Sequence, residues 1–150
     1  MRFYSYDEFT TDVNILAKEI KSSFMPDAIV AIARGGMTLG HFLAEALEMR
    51  DLYSLNSIHY EETRKLDYIK IFNIPDLSAA KRVLLVDDII DSGETMIEIK
   101  KVLAEKYPDC EVQVATVFYK EKALVRPDFA VREADAWIEF FWDFQIDKKK

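Results

Sequence analysis

Glycine, proline, cysteine and histidine are all scarce in this 150-residue chain, which holds four, four, one and two of them. The single cysteine, Cys110, excludes an intrachain disulfide and fits a reduced compartment. His41 and His59 have no Cys or His partner at metal-ligand spacing, which argues against a zinc site. No apolar run approaches the roughly 20 residues a membrane span requires, and Met1–Asp7 has no apolar core of signal-peptide length. The expectation is a soluble, cytoplasmic protein. Basic residues are also short, 20 against 27 acidic, for a formal net charge of -7. A nucleic-acid grip spread over a basic face is therefore disfavoured. A phosphate ligand is not, provided backbone amides, a metal ion and a few placed cations bind it.

The four glycines are concentrated rather than scattered: Gly35, Gly36 and Gly40 in or beside one turn, and Gly93 in another. A chain of this length supports one domain, residues 1–150, with a sizeable core. Conformational freedom confined to two loops points to close backbone approach to a ligand at both.

The second loop follows the most apolar strand. Val83–Val86 reads as a strand buried on both faces. Asp87 and Asp88 stand where it emerges, Gly93 supplies the bend, and Ser92 and Thr95 flank it. Met96, Ile99 and Leu103 then recur at helical spacing. The first amides of a helix lack internal partners and carry the positive end of the dipole, so this start favours phosphate. Asp87 and Asp88 suit polyol hydroxyls or a Mg²⁺ ion instead. Arg34-Gly35-Gly36 is a second anion site by the same logic, with a guanidinium added. Each loop alone is also an ordinary strand-to-helix connection; together they favour a ligand phosphorylated at both ends.

Elsewhere Phe9, Val13, Leu16 and Ile20 mark a helix starting near Ser5 or Asp7 and ending before Pro26. Ala28–Ala33 reads as a buried strand, and a helix follows with Leu39, Phe42, Leu43, Ala46 and Leu47 inward. Strands are expected at Leu52–Tyr60, Ile69–Ile74, Val112–Phe118, Phe129–Val131 and Trp137-Ile138. The charged run Glu61–Lys65 reads as a solvated loop and Lys148–Lys150 as a tail. Strands alternating with helices predict an α/β fold, a three-layer, mostly parallel sheet flanked by helices.

Two rival motifs fail, one on residue type and one on position. Gly35 and Gly40 match the glycines of a P-loop, but His41 and Phe42 replace its Lys and Ser/Thr. A receiver domain needs its acidic pair near the first strand, and here it follows a late one.

Val86-Asp87-Asp88-Ile89-Ile90-Asp91-Ser92-Gly93-Glu94-Thr95 resembles the phosphoribosyl pyrophosphate (PRPP) signature of type I phosphoribosyltransferases, with Ser92 where many members carry Thr. Trp137-Ile138-Glu139-Phe140-Phe141-Trp142-Asp143 is similar to a segment of the bacterial xanthine-guanine members, although Phe140-Phe141 departs from it. The resemblance implies that fold with a small C-terminal hood, and transfer of a phosphoribosyl group from PRPP to guanine, xanthine or hypoxanthine in purine salvage. It implies PRPP contacts from Arg34, Gly35, Asp87, Asp88, Asp91, Ser92, Gly93, Glu94 and Thr95, with Mg²⁺ at Asp87 and Asp88. It assigns Asp91 to the proton of the incoming base, Lys120 to the oxygen at purine C6, and Trp137 and Ile138 to the ring and its C2 group. It makes Glu61–Lys65 a mobile flap, and implies a homo-oligomer, dimer or tetramer. Alternatives are a regulatory nucleotide-binding protein of the same fold, or a member using orotate, uracil or adenine.

Overall fold

The computed structural model describes residues 1–60 and 68–147. The Glu61–Lys65 run and the Lys148–Lys150 tail lie outside the described residues. Helix α1 (Tyr6–Ser23) starts where Ser5 completes a capping box with Glu8. Ser5 Oγ accepts from the Glu8 amide at 3.2 Å and Glu8 accepts from the Ser5 amide at 3.0 Å.

The central sheet has five strands: β2 (Ala28–Ala33), β3 (Leu52–Tyr60), β4 (Tyr68–Phe72), β5 (Arg82–Val86) and β7 (Glu111–Ala115), in the order β4-β3-β2-β5-β7. All pairings are parallel except β3 with β4. Alternate residues of β2 and β5 enter opposite cores, because successive side chains point to opposite faces. Ile29, Leu84 and Val86 pack with α1 and with α2 (Met37–Ala46); Val30, Ile32, Val83 and Leu85 pack with α3 (Glu94–Lys106). The predicted α/β sandwich is what forms.

Two small sheets sit beside it. In one, β6 (Ile89–Ile90), β8 (Phe118–Tyr119) and β9 (Arg132–Glu133) pair in the order β6-β8-β9. In the other, β1 (Arg2–Tyr4) lies parallel to β10 (Ile138–Phe140). Several expected boundaries shift. The Val112–Phe118 strand splits into β7 and β8, because Thr116 bonds its hydroxyl to the Phe118 carbonyl at 2.8 Å. Phe129–Val131 contributes only an isolated bridge, Phe129 to Ala115, and the strand starts at Arg132. Trp137 precedes its strand instead of opening it, and Ile69–Ile74 is replaced by Tyr68–Phe72. Ala46 is exposed, while Gly40 turns inward against Ala31.

Candidate active site

Both glycine loops sit at the C-terminal edge of the central sheet, where β2 and β5 are neighbours. That is where a parallel sheet places its ligand crevice. The helices that follow the loops begin differently from α1. Helix α2 starts at Gly36 and α3 at Gly93, and neither cap residue offers a side-chain hydrogen bond. The Met37 amide donates back to the Arg34 carbonyl at 3.1 Å, so an anion would be met by the amides that follow in the first turn of each helix. Gly93 has φ +91°, a left-handed conformation that β-branched or bulky residues rarely hold. The loop is braced from outside: the Leu124 amide donates to the Ser92 carbonyl at 2.8 Å. Ser92 Oγ accepts from the Glu94 amide at 3.2 Å. Asp91, Ser92 and Glu94 are exposed and Thr95 is half-buried.

The first loop packs directly on the acidic pair. A Cβ on Gly35 would overlap the Asp88 carboxylate, and one on Gly36 would strike the Val86 carbonyl and the Asp87 Cα. Arg34 joins this turn through a cis peptide bond from Ala33. Asp87 Oδ1 accepts from the Asp88 amide at 2.9 Å, and Asp88 Oδ1 from the Ile89 amide at 2.7 Å. Burial and the neighbouring Asp88 charge hold the Asp87 carboxyl well above the usual carboxylate range. Asp88 is raised as well, chiefly by burial, with the charge of Asp143 adding to it. An adjacent, buried carboxylate pair whose ionisation burial opposes fits a hard divalent cation, which offsets that cost. No cluster of three or more His, Cys, Asp or Glu able to hold a metal occurs among the described residues. A cation here would take its remaining ligands from substrate oxygens and water.

Asp91 and Lys120 meet, Nζ to Oδ1 at 2.7 Å, with both side chains substantially exposed. The Lys120 amide donates to the Ile90 carbonyl at 3.0 Å, so β6 and β8 bring the two residues together. A cleft of about 690 Å³ is lined by Arg34, Gly35, Thr38, Asp88, Trp137 and further residues of the C-terminal segment. Trp137 is 74% exposed there, a free aromatic face. Ile138 is buried, so only its backbone can address a ligand. Of the predicted residues, the cleft thus joins Arg34, Gly35, Asp88 and Trp137. Asp87, Asp91, Ser92–Thr95, Lys120 and Ile138 do not line it.

Phe140 and Phe141 are core residues. Phe140 is buried and stacks on Trp142, with centroids 4.6 Å apart and planes at 13°; Phe141 meets Tyr6 edge-on at 5.6 Å. Thr38, Glu139, Asp143, Phe144 and Gln145 line the cleft and escaped the sequence reading. Glu139 and Asp143 had a signal, as members of the quoted Trp137–Asp143 segment.

A family profile described as the phosphoribosyl transferase domain matches residues 5–149. The chain belongs to that family. Xanthine-guanine phosphoribosyltransferases from Cereibacter sphaeroides and Ruegeria sp. are each 30% identical to it; each alignment covers 95% of this chain, and 86% and 85% of those proteins. Among solved structures, the Helicobacter pylori xanthine-guanine-hypoxanthine phosphoribosyltransferase has a TM-score of 0.88 at 39% identity, covering 94% of this chain and 92% of that one. A Neisseria gonorrhoeae protein with bound ppGpp has a TM-score of 0.81 at 27% identity, covering 97% and 91%. As a phosphoribosyltransferase-family chain, it also has no described helix long and apolar enough to cross a membrane.

Proposed function

We propose that this protein transfers the 5-phosphoribosyl group from PRPP to a 6-oxopurine, releasing pyrophosphate and a nucleoside monophosphate. The observation that carries the base assignment is the contact of Lys120 with Asp91. A 6-oxopurine carries its C6 oxygen and its N7 side by side on one edge. An ammonium beside a carboxylate matches that edge: Lys120 donates to O6 and Asp91 accepts from N7–H. Adenine would turn an amino group toward Lys120, a donor against a donor. Because the pair is exposed, its own contact is worth little and opens cheaply for the base.

The amides at the start of α3, with Ser92, Gly93, Glu94 and Thr95, hold the 5-phosphate. Arg34 and Gly35 hold the pyrophosphate from the start of α2, and Asp87 and Asp88 take the ribose hydroxyls. Mg²⁺ held by Asp87 and Asp88 together with the ligand would neutralise charge on the departing pyrophosphate. The anomeric carbon lies between the two anchors and gains positive character as pyrophosphate leaves. The carboxylates beneath it favour that charge. Trp137 stacks on the base, the backbone at Ile138 meets its C2 side, and Asp91 takes the proton. PRPP is highly charged and does not diffuse across membranes, which supports a cytoplasmic setting. The family likeness supports a homo-oligomer.

The test offers PRPP and Mg²⁺ with guanine, xanthine, hypoxanthine and adenine in turn, and quantifies nucleotide and pyrophosphate. The 6-oxopurines should react and adenine should not. Equal turnover of adenine, or none with any base, would refute the reading.

A second reading is favoured by the gonococcal neighbour, whose ligand carries a diphosphate on each side of a ribose. Two anion-binding helix starts flanking a sugar site would accept such a nucleotide. It should compete with PRPP; failure to compete would exclude it.

A further inference from the structure

The base site proposed above has two walls that come from distant parts of the chain. One is β10 with Trp137 before it, and the other is β8 leading to Lys120. Helix α1 is fastened to both walls by separate ion pairs. Glu8 and Asp12 stand one turn apart on α1 and so share a face. Like charges at that spacing destabilise a helix unless each has its own counter-charge. Glu8 Oε1 accepts from Arg2 Nη2 at 2.5 Å. Asp12, almost fully buried, accepts from Arg132 Nε at 2.7 Å and from Nη2 at 3.1 Å.

Arg2 belongs to β1, whose backbone pairs with β10, and its amide donates to the Trp137 carbonyl at 2.8 Å. Arg132 belongs to β9, which pairs with β8. Between the two arginines lies the Tyr4 ring, 5.7 Å from the Arg2 guanidinium and 5.9 Å from that of Arg132. Tyr4 donates its hydroxyl to Asp12 and packs edge-on against Phe118 of one wall, at 5.0 Å, and Phe140 of the other, at 5.9 Å. Arg2 also lies over the Phe118 ring at 5.5 Å.

The geometry assigns Glu8 and Asp12 on α1, with Arg2 and Arg132, as positioning residues that set the separation of the two base-site walls. This rests on the assignment of Trp137 and Lys120 to the base. A flat ring held between Trp137 and the Lys120 wall tolerates little change in that gap, whereas PRPP is held by loops on the central sheet.

The test uses two conservative variants of the full chain. Glu8→Gln keeps a capping acceptor but loses the charge facing Arg2. Arg132→Lys keeps a charge facing Asp12 but loses the planar fork. Each should raise the KM for the 6-oxopurine about tenfold, leaving the KM for PRPP unchanged, as a displaced wall requires. Hydrogen–deuterium exchange should quicken at Arg2–Tyr4 and Ile138–Phe140 in Glu8→Gln, and at Phe118–Tyr119 and Arg132–Glu133 in Arg132→Lys. Exchange in β2 and β5 should stay as in the parent. Both KM values rising together, or neither moving while exchange quickens uniformly, would overturn the assignment. A parent protein that makes no nucleotide from any 6-oxopurine would sink the proposed function instead; the exchange pattern then judges the fastening alone.

Discussion

Replacing Gly35 by alanine is the sharpest perturbation of the proposed site, because the nearest atoms the added methyl would meet are those of the Asp88 carboxylate. The new Cβ would fall 2.7 Å from Asp88 Cγ and 2.9 Å from Oδ1. Those separations are well inside van der Waals contact, so either the Arg34–Gly36 turn or the Asp88 carboxylate must move. Asp88 is held by its bond to the Ile89 amide at 2.7 Å, and the turn is held by the Gly36 amide on the Ile32 carbonyl at 2.8 Å. Relief of overpacking costs about 1–3 kcal/mol of stability. The larger consequence is for PRPP, whose pyrophosphate and ribose anchors would be pushed apart. Misplacement of about 1 Å costs on the order of 100-fold in rate, or about 2.7 kcal/mol. Steady-state kinetics with PRPP as the varied substrate, beside a thermal melt, reads both quantities. Gly35→Ala should lose about 100-fold in kcat/KM for PRPP while remaining folded. Parent-like kcat/KM in a folded variant would refute the packing of this turn against the acidic pair. Gly40→Ala is the matched control: its Cβ would crowd Ala31 Cβ at 2.8 Å and touch Leu52 Cδ1 at 3.6 Å, so it should lower the melting temperature and spare KM for PRPP.

Asp91→Asn should keep PRPP affinity and lose about 10²–10⁴-fold in turnover, as expected when a proton acceptor is removed; single-turnover product formation checks this. Lys120→Ala should raise the KM for guanine and hypoxanthine far more than that for PRPP, and equal losses would indicate damaged folding. The Glu8 carboxyl is held below its ordinary range chiefly by the Ser5 amide, with Arg2 adding to it. A lowered folded-state pKa gives stability that is present above the unfolded value, about 4.3, and is lost as pH falls through the folded value. Glu8→Gln should therefore show a shallower fall in melting temperature than the parent between about pH 5 and about pH 3, measured by calorimetry.

The residues that made the site legible in the sequence were those whose local chemistry is decisive. Val83–Val86 could only be a doubly buried strand, and Gly93 with Ser92 and Thr95 could only be a bend into a helix. The junction of the two loops follows once β2 and β5 are neighbours. The N-terminal strand had no such signal. Arg2–Tyr4 is three residues long, and its partner at Ile138–Phe140 stands at the opposite end of the chain. Pairing that distant is set by tertiary packing around Tyr4 and leaves no periodicity to read. The same cause hid the role of Phe140 and Phe141. In the sequence they read as a departure from the family segment; against Tyr4, Tyr6 and Phe9 they close the core, while Trp137, Trp142 and Phe144 are the aromatics that line the cleft. Asp12 was unreadable for a related reason, since its partner Arg132 lies on a strand far along the chain.

In the proposed function two helix starts, at Gly36 and Gly93, grip opposite ends of one PRPP molecule. Calorimetric titration of PRPP with Mg²⁺ into protein saturated with pyrophosphate and, in a separate run, into protein saturated with ribose 5-phosphate tests it directly. Competition with each, at one PRPP per chain, is the predicted result. PRPP binding indifferent to pyrophosphate, or at two per chain, would contradict it.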